Sequence, residues 1–436
     1  NEIVPPLTML INQCFAEGYF PNELKTAKII PIPKKNNDNT SYDSYRPISI
    51  LPTMSKVFEI AINKRLMKYF EKNAIFCDEQ NGYRKERSTS TAVLNIMNAV
   101  ISALDNKETV ELVSCDLSKA FDTVPHSILL QKLHWYGVRG NALQLLESYL
   151  QGRRQIVRWG DKSSQKVPVT CGVPQGSVVG PTMFIVHVND LLKNVNCDSA
   201  CLYADDTSFI IKAASEEKRL LKKNIVIKEA GNWFNNNRLK LNENKTQSLT
   251  FSTTTFNSSI KFLGLQIQDN LRWNTHISEM ANKLASALYS IPRIKTIATH
   301  QAVKMVYYAN FHAIATYGIL LWGANTEAMK RVFLLQKKAI RIMKNLRQRE
   351  SCKYHFKKEQ ILIVPATYVI HNINYVHIHL GQFCCLSQQK HPKCQSAEST
   401  LSPPYSYSTK CTLLGSKTLQ QNPRLLEENN FKGIGE

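Results

Sequence analysis

The tetrapeptide Tyr203-Ala204-Asp205-Asp206 stands between two apolar runs, Cys201-Leu202 and Ser208-Phe209-Ile210-Ile211. So short a turn between strand-like runs reads as a β-hairpin, which carries two adjacent aspartates at its tip. Adjacent carboxylates repel, and a fold tolerates them most easily where cations sit between them and another acid. A candidate for that acid lies upstream, where the apolar strand-like segment Glu111-Leu112-Val113-Ser114-Cys115 runs into Asp116 before the chain turns towards a helix. A lone Asp-Asp pair in a turn is commonly no more than two solvated acids, so its meaning depends on what accompanies it.

An aspartate at the end of a strand suits a metal ligand, because the strand fixes its direction. Phosphoryl or nucleotidyl transfer uses two Mg²⁺ ions roughly 3.5 to 4 Å apart, one activating the attacking hydroxyl and one neutralising the leaving group. Asp116, Asp205 and Asp206 supply hard oxygen ligands for such a pair, and the backbone carbonyl of Leu117 is available as one more. Asp122, shortly before Pro125, reads instead as a cap or turn residue. Between the acid segments runs Cys171-Gly172-Val173-Pro174-Gln175-Gly176-Ser177-Val178-Val179-Gly180-Pro181, a loop by its glycines and prolines, with Pro181 suited to the first position of a helix. Amides in such a loop can approach a base pair or a sugar closely, because glycine carries no side chain to hold them off.

Together these segments resemble the reverse transcriptases of non-LTR retrotransposons (LINE-like elements), the insect jockey-like group especially. The resemblance begins at Ala27-Lys28-Ile29-Ile30-Pro31-Ile32-Pro33-Lys34-Lys35 and Ser44-Tyr45-Arg46-Pro47-Ile48-Ser49, and continues through Gln80-Asn81-Gly82-Tyr83-Arg84-Lys85-Glu86-Arg87-Ser88-Thr89. It then takes in the Asp116 segment, the Pro174-Gln175-Gly176 loop and the Tyr203 tetrapeptide in the family's order. Asn237-Arg238-Leu239-Lys240-Leu241-Asn242-Glu243-Asn244-Lys245-Thr246 and Phe262-Leu263-Gly264-Leu265 are similar to its last two palm motifs.

The resemblance implies a role for each matching residue. Asp116, Asp205 and Asp206 are the expected catalytic, metal-binding acids. Lys34 and Arg46 match the positions that hold the incoming triphosphate, one as a point charge and one as a planar fork of donors. Phe121 falls five residues after Asp116, where such polymerases place a bulky ring under the sugar, which implies a preference for dNTPs over rNTPs. Gln175 matches a contact to the nucleotide and template, and Lys245 a general acid for the leaving pyrophosphate. Tyr203, with Leu263 and Gly264, is expected at the primer and template, and Arg84 and Arg87 at the template. Mg²⁺ is the implied cofactor, as two ions, with Mn²⁺ able to substitute.

Two positions depart from the pattern. Asn81 stands where an aromatic residue is usual, and Glu86 lies in a basic, glycine-rich stretch; both fall where template is expected, so reduced activity or affinity is the expectation. The chain opens at an apolar helix-like segment without an initiator methionine, as a fragment of a longer reading frame or a degraded copy would. The endonuclease that precedes the polymerase in jockey-like elements is not among its motifs, so target nicking is assigned to a separate or missing domain.

Lys and Arg outnumber Asp and Glu by 55 to 34 in 436 residues, a formal net charge of +21. That excess suits a polyanionic partner and binding that weakens steeply with salt. Between Lys330 and Lys358 eleven basic residues face Glu350 alone, a net +10 on a largely helix-like stretch. This is the expected thumb helix along the primer-template phosphates, with a merely solvated basic face as the alternative.

Helix-like spacing covers 53–73, 89–104, 127–150, 181–193, 216–237, 276–290 and much of 299–346. Strand-like runs are 27–33, 110–116, 154–159, 165–171, 200–203, 207–212, 247–252 and 261–268. The expected class is α+β, a right-hand polymerase fold with a small antiparallel palm sheet backed by helices. The expected divisions are a lead-in over 1–19, fingers over 20–107, palm over 108–270, a helical basic thumb over 271–375 and a polar tail over 376–436.

Eleven cysteines with no secretory signal suggest a reduced, intracellular setting, nucleus and cytoplasm, and no segment reads as a transmembrane helix. Cys384, Cys385, His391 and Cys394 are spaced too irregularly for a clear zinc knuckle. The expected activity is RNA-directed DNA polymerisation, extending a primer 3′-hydroxyl on an RNA template with dNTPs; the primer is a DNA strand or nicked target DNA, and no membrane is involved. Two rivals stand beside it: an inert nucleic-acid-binding remnant, and an RNA-dependent RNA polymerase sharing the palm acids.

Overall fold

The computed structural model describes residues 2–34, 41–251 and 258–378, in two compact units divided after Phe251. Lys35 and the possible zinc ligands Cys384, Cys385, His391 and Cys394 lie outside the described residues.

The strands of the first unit, in chain order, are β1 (Thr26–Pro33), β2 (Tyr45–Ile50), β3 (Thr109–Cys115), β4 (Leu117–Ser118), β5 (Arg154–Trp159), β6 (Lys162–Ser163), β7 (Val167–Pro168), β8 (Ser199–Tyr203), β9 (Asp206–Ala213), β10 (Lys240–Leu241) and β11 (Gln247–Phe251). Its helices are α1 (Val4–Glu17), α2 (Thr53–Lys72), α3 (Thr89–Asp105), α4 (Ala120–Thr123), α5 (His126–Trp135), α6 (Asn141–Leu150), α7 (Gly180–Val188) and α8 (Glu216–Asn236).

Four antiparallel strands in the order β11-β3-β9-β8 form the central sheet. Its inner strands β3 and β9 are apolar and buried on both faces, as strands with helices on either side must be. The helices α3 and α8 pack against it. One buried charge interrupts β3: Glu111, 2% exposed, is met from α8 by Arg219 and by Lys223 Nζ at 2.5 Å. With both carboxylate oxygens engaged, the acid is tolerated inside the sheet-helix layer.

A second sheet, β2-β1-β5-β6 with β7 on β5, draws β5 from within the stretch expected to be palm. β1 pairs antiparallel with β2 from Lys28 to Pro33, but parallel with β5 only over Thr26 to Ile29. The Pro31 and Pro47 pair therefore lies beyond the β5 ladder, and Pro47 on an edge strand, where a missing N–H breaks no sheet. The strand at 45–50 was not among the expected ones.

Three expected elements of this unit are corrected. The helix over 127–150 is two helices, because Gly137 and Gly140 take φ of +91° and +56° between them. A side chain at Gly137 would also meet the Tyr69 hydroxyl, which donates to the Tyr136 carbonyl at 3.1 Å. The strand over 165–171 shrinks to Val167–Pro168, and the helix over 181–193 ends at Val188.

The second unit opens with a hairpin, β12 (Ser259–Phe262) and β13 (Leu265–Gln268), where one strand over 261–268 was expected. It turns at Leu263 and Gly264, both at positive φ, 43° and 83°. Helices follow: α9 (Asn274–Lys295), α10 (His300–Val306), a π-helical turn (Tyr307–His312), α11 (Ala313–Thr316), α12 (Ile319–Trp322), α13 (Thr326–Lys344), α14 (Lys353–Lys358) and α15 (Val364–Ile378). The basic stretch is interrupted where α13 ends on Asn345 in the left-handed conformation. Part of its charge is turned inward: Lys344 pairs with the buried Glu359, and Arg341 Nε donates to the Glu350 carbonyl at 3.1 Å. Lys330, Arg331 and Lys338 remain exposed on α13.

Candidate active site

The register of the central sheet brings the three acids together. Tyr203 pairs with Asp206 across the β8-β9 hairpin, leaving Ala204 and Asp205 as its two-residue tip, with Ala204 at φ 59°. On the other side of β9, Cys115 pairs with Thr207, so the next residue, Asp116, comes level with Asp206. All three acids therefore stand at one end of the sheet. Burial, then the Asp116 carboxylate, raises Asp205 above the usual aspartate range, against the opposing charge of Arg46. Burial and the charges of Asp205 and Asp116 push Asp206 up to about 6.

Among the described residues no three His, Cys, Asp or Glu side chains converge as a ready-made metal cage. The donor set nonetheless fits a hard divalent cation, because the three carboxylates carry a mutual repulsion that such a cation would relieve. Beside Asp116, β4 pairs with β10, Leu117 opposite Leu241, and Asn242 donates its amide to the Asp116 carbonyl at 2.8 Å. That turn presents Lys245, whose Nζ lies 3.8 Å from Asp116 Oδ2.

The Pro174-Gln175-Gly176 loop is held between β2 and α4. Ser49 of β2 donates its amide to the Gln175 carbonyl at 2.8 Å, and a side chain on Gly176, at φ +120°, would meet the Ser49 carbonyl at 2.5 Å. The Gln175 amide nitrogen donates to both carboxylate oxygens of Asp122, each at 3.1 Å. Asp122 is thus neither a helix cap nor a free turn residue but the acceptor that orients Gln175. Phe121 stacks on the fully buried Phe184, ring centroids 4.6 Å apart, and is itself half-buried. On the far side of the loop the fully buried Glu59 of α2 accepts from the Val178 amide at 2.6 Å and the Ser55 hydroxyl at 3.0 Å. Sequence reasoning missed Glu59; its signal was an acid on the helix face otherwise formed by Phe58, Ile62, Leu66 and Phe70.

Among the nucleotide and template candidates, Lys34 follows β1 directly and donates its amide to the Ser44 carbonyl at 2.8 Å. Arg46 is exposed on β2, opposite Ile32. Arg84 is turned into the protein: Nε and Nη2 grip Glu71 at 2.9 and 2.8 Å, and Nη1 reaches the Cys77 carbonyl at 2.8 Å. Arg87 donates to the Asp78 carbonyl at 2.9 Å and remains more open. Asn81, expected where template binds, is 2% exposed, its side chain directed at the Glu79 carbonyl and the Cys201 sulfur. Asn81 thus packs against Cys201 of β8 rather than standing open to a template. Leu263 and Gly264 form the turn of the β12-β13 hairpin in the second unit, where the Tyr317 hydroxyl donates to the Leu263 carbonyl.

A family model described as "Reverse transcriptase (RNA-dependent DNA polymerase)" matches residues 32–267. The chain is 28% identical to a probable RNA-directed DNA polymerase from transposon BS of Drosophila melanogaster, over 77% of this chain and 40% of that protein. It is 26% identical to the RNA-directed DNA polymerase from mobile element jockey of the same organism, over 77% of this chain and 39% of that protein. The chain thus spans about two fifths of the length of the curated relatives it matches. Among solved structures, a telomerase from Candida albicans with a fragment of telomeric RNA aligns at a TM-score of 0.48 and 13% identity, covering 80% of this chain and 67% of that one.

Proposed function

Because the chain belongs to the reverse transcriptase (RNA-dependent DNA polymerase) family, we propose that it is the polymerase portion of a non-LTR retrotransposon protein, extending a primer 3′-hydroxyl with dNTPs on an RNA template. The observation that carries this reading is that Asp116, Asp205 and Asp206 stand at one end of a four-stranded sheet within the matched region. The family match speaks against the rival RNA-dependent RNA polymerase.

In this reading Asp116, Asp205 and Asp206, with the Leu117 carbonyl, hold two Mg²⁺ ions, for which Mn²⁺ can substitute. Bound there, the ions would lower the pKa of the primer hydroxyl and neutralise charge on the leaving pyrophosphate. Arg46, whose charge already acts on Asp205, and Lys34 hold the triphosphate. Lys245, whose position beside Asp116 supports the role, gives a proton to the leaving pyrophosphate. Phe121, backed by Phe184, bars a ribose 2′-hydroxyl, and Gln175, oriented by Asp122, lies against the nascent base pair. Tyr203, Arg87, Leu263 and Gly264 contact primer or template, and Arg84 braces the segment that carries Arg87. The second unit serves as thumb, its exposed Lys330, Arg331 and Lys338 facing phosphates. No helix among the described residues is long and apolar enough to cross a membrane, and a chain with this template would act in the cytoplasm or nucleus.

Primer extension on poly(rA)/oligo(dT) with dTTP and Mg²⁺ tests the proposal, with the Asp205→Ala, Asp206→Ala double mutant as control. Extension by the wild type alone is expected. Equal salt-sensitive duplex binding by both proteins, with extension by neither, would mean an inert nucleic-acid-binding remnant.

A further inference from the structure

The central sheet ends at β8, yet that edge is not bare. Residues 79–82 run along it: Leu202 donates its amide to the Glu79 carbonyl at 3.0 Å, and Asn81 donates its own to the Leu202 carbonyl at 2.7 Å. Gln80 bridges Leu202 in parallel register and is fully buried. Its Oε1 accepts the Gly82 amide at 2.9 Å, which sets the direction of the chain as it leaves the edge. That direction leads onto the tip of the aspartate hairpin. A Cβ on Gly82 would lie 2.5 Å from the Ala204 backbone nitrogen and 3.1 Å from the Tyr203 carbonyl carbon. Gly82 is not among the glycines at positive φ, so close approach rather than backbone freedom demands the glycine here. The obstacle is backbone, which cannot rotate aside as a side chain would.

We propose that residues 79–82 are a positioning strap for the aspartate hairpin, and that the Gly82 contact with Tyr203 and Ala204 sets the height of Asp205 and Asp206 against Asp116 and hence the site's affinity for divalent cations. The inference rests on the reading that these acids hold metal. Gly82 is a positioning residue: it acts through the hairpin and touches neither metal nor substrate. Adding one methyl group at 82 forces the hairpin outward on the order of 1 Å, a displacement that at a reacting centre costs about 100-fold in rate.

The test is an electron paramagnetic resonance titration of free Mn²⁺ against the full chain, which reads metal binding without requiring turnover. Wild type is compared with Gly82→Ala, with Asp205→Ala, Asp206→Ala as the reference lacking the site, and with Gly137→Ala as a structural control. Gly137 also has a forbidding environment, φ +91° and a Cβ position 2.3 Å from the Tyr69 hydroxyl, but it lies in the α5-α6 turn. Gly82→Ala is expected to weaken the Mn²⁺ binding that depends on Asp205 and Asp206 at least fivefold, while Gly137→Ala loses thermal stability and keeps wild-type affinity. Wild-type affinity in Gly82→Ala, or equal weakening in Gly137→Ala, overturns the proposal. Should Gly82→Ala not fold, Gln80→Ala decides: it removes the acceptor for the Gly82 amide together with the rest of a buried side chain, and either weakens Mn²⁺ several-fold beyond the effect of Gly137→Ala or sinks the strap. A wild type that binds no Mn²⁺ through Asp205 and Asp206 would instead refute the metal site itself. A wild type that binds Mn²⁺ but extends no primer refutes the polymerase reading while the strap can still be judged.

Discussion

Gln175 donates from one amide nitrogen to both oxygens of Asp122, 3.1 Å to each. The acid is half-buried, and burial raises its pKa while the Gln175 bond and the charge of Lys119 oppose the rise. Asp122→Ala removes the acceptor that orients Gln175 without touching the metal-binding acids. Steady-state kinetics should show KM for dNTP rising about tenfold, the scale of a lost hydrogen bond to a charged group, with kcat changed much less. A fall confined to kcat would mean that Gln175 does not meet the nucleotide.

Phe121 rests on Phe184 and has one face left to offer. Phe121→Ala should narrow the preference for dNTPs over rNTPs by about tenfold or more, since a removed ring no longer collides with a 2′-hydroxyl and a clash of only about 1.4 kcal/mol already amounts to tenfold in rate. Competition between dTTP and UTP on the same primer-template measures it, and an unchanged ratio would return Phe121 to the core.

Arg84 makes a bidentate pair with Glu71 and binds the Cys77 carbonyl, with its side chain only 9% exposed. Arg84→Ala should therefore destabilise the fold by about 1 to 2 kcal/mol, seen as a lower urea midpoint, because the Cys77 carbonyl loses its donor and Phe76 the guanidinium packed over its ring, while the exposed Glu71 regains water. The salt dependence of duplex binding should keep its wild-type slope. Were Arg84 a phosphate contact, the slope of log K against log salt would fall by about one.

In the second unit, Glu359 is 7% exposed, and burial alone would raise its pKa. Lys344 and His300, the latter at 2.9 Å, outweigh burial and hold it down to about 2, from 4.5. A depressed acid stabilises the fold fully above its unfolded pKa, and that contribution drains away as pH falls from about 4.5 to about 2. Glu359→Gln should lower Tm at pH 7 by about 3 to 6 °C, and the gap to wild type should close as pH falls through this window. Parallel melting curves at every pH would show that the ion pairs contribute nothing.

Much of this was legible along the chain. The hairpin at Tyr203 to Asp206 and the strand ending before Asp116 could be read from short apolar runs and turn length, because both signals are local. Helices such as α2 and α8 fell within a residue or two of their expected ends. The helix over 127–150 failed because Gly137 and Gly140 look tolerable in a periodic pattern, whereas in the fold both take positive φ and break it, and the Tyr69 hydroxyl leaves no room for a side chain at 137. The strand at Tyr45–Ile50 was not read from the sequence; its Pro47 is tolerated because β2 is an edge, which only the sheet order shows.

The sequence by itself determined which acids are available, the order of the motifs, the basic excess and the family. Each follows from residue identity and short-range spacing. Only the tertiary structure decided that Arg84 serves Glu71, that Asp122 orients Gln175, and that Gly82 bears on the Tyr203-Ala204 backbone. Those partners are separated by 13, 53 and more than 120 residues. Contacts at such separation are set by sheet register and by which edge a passing segment covers, and neither leaves a periodic trace in the chain.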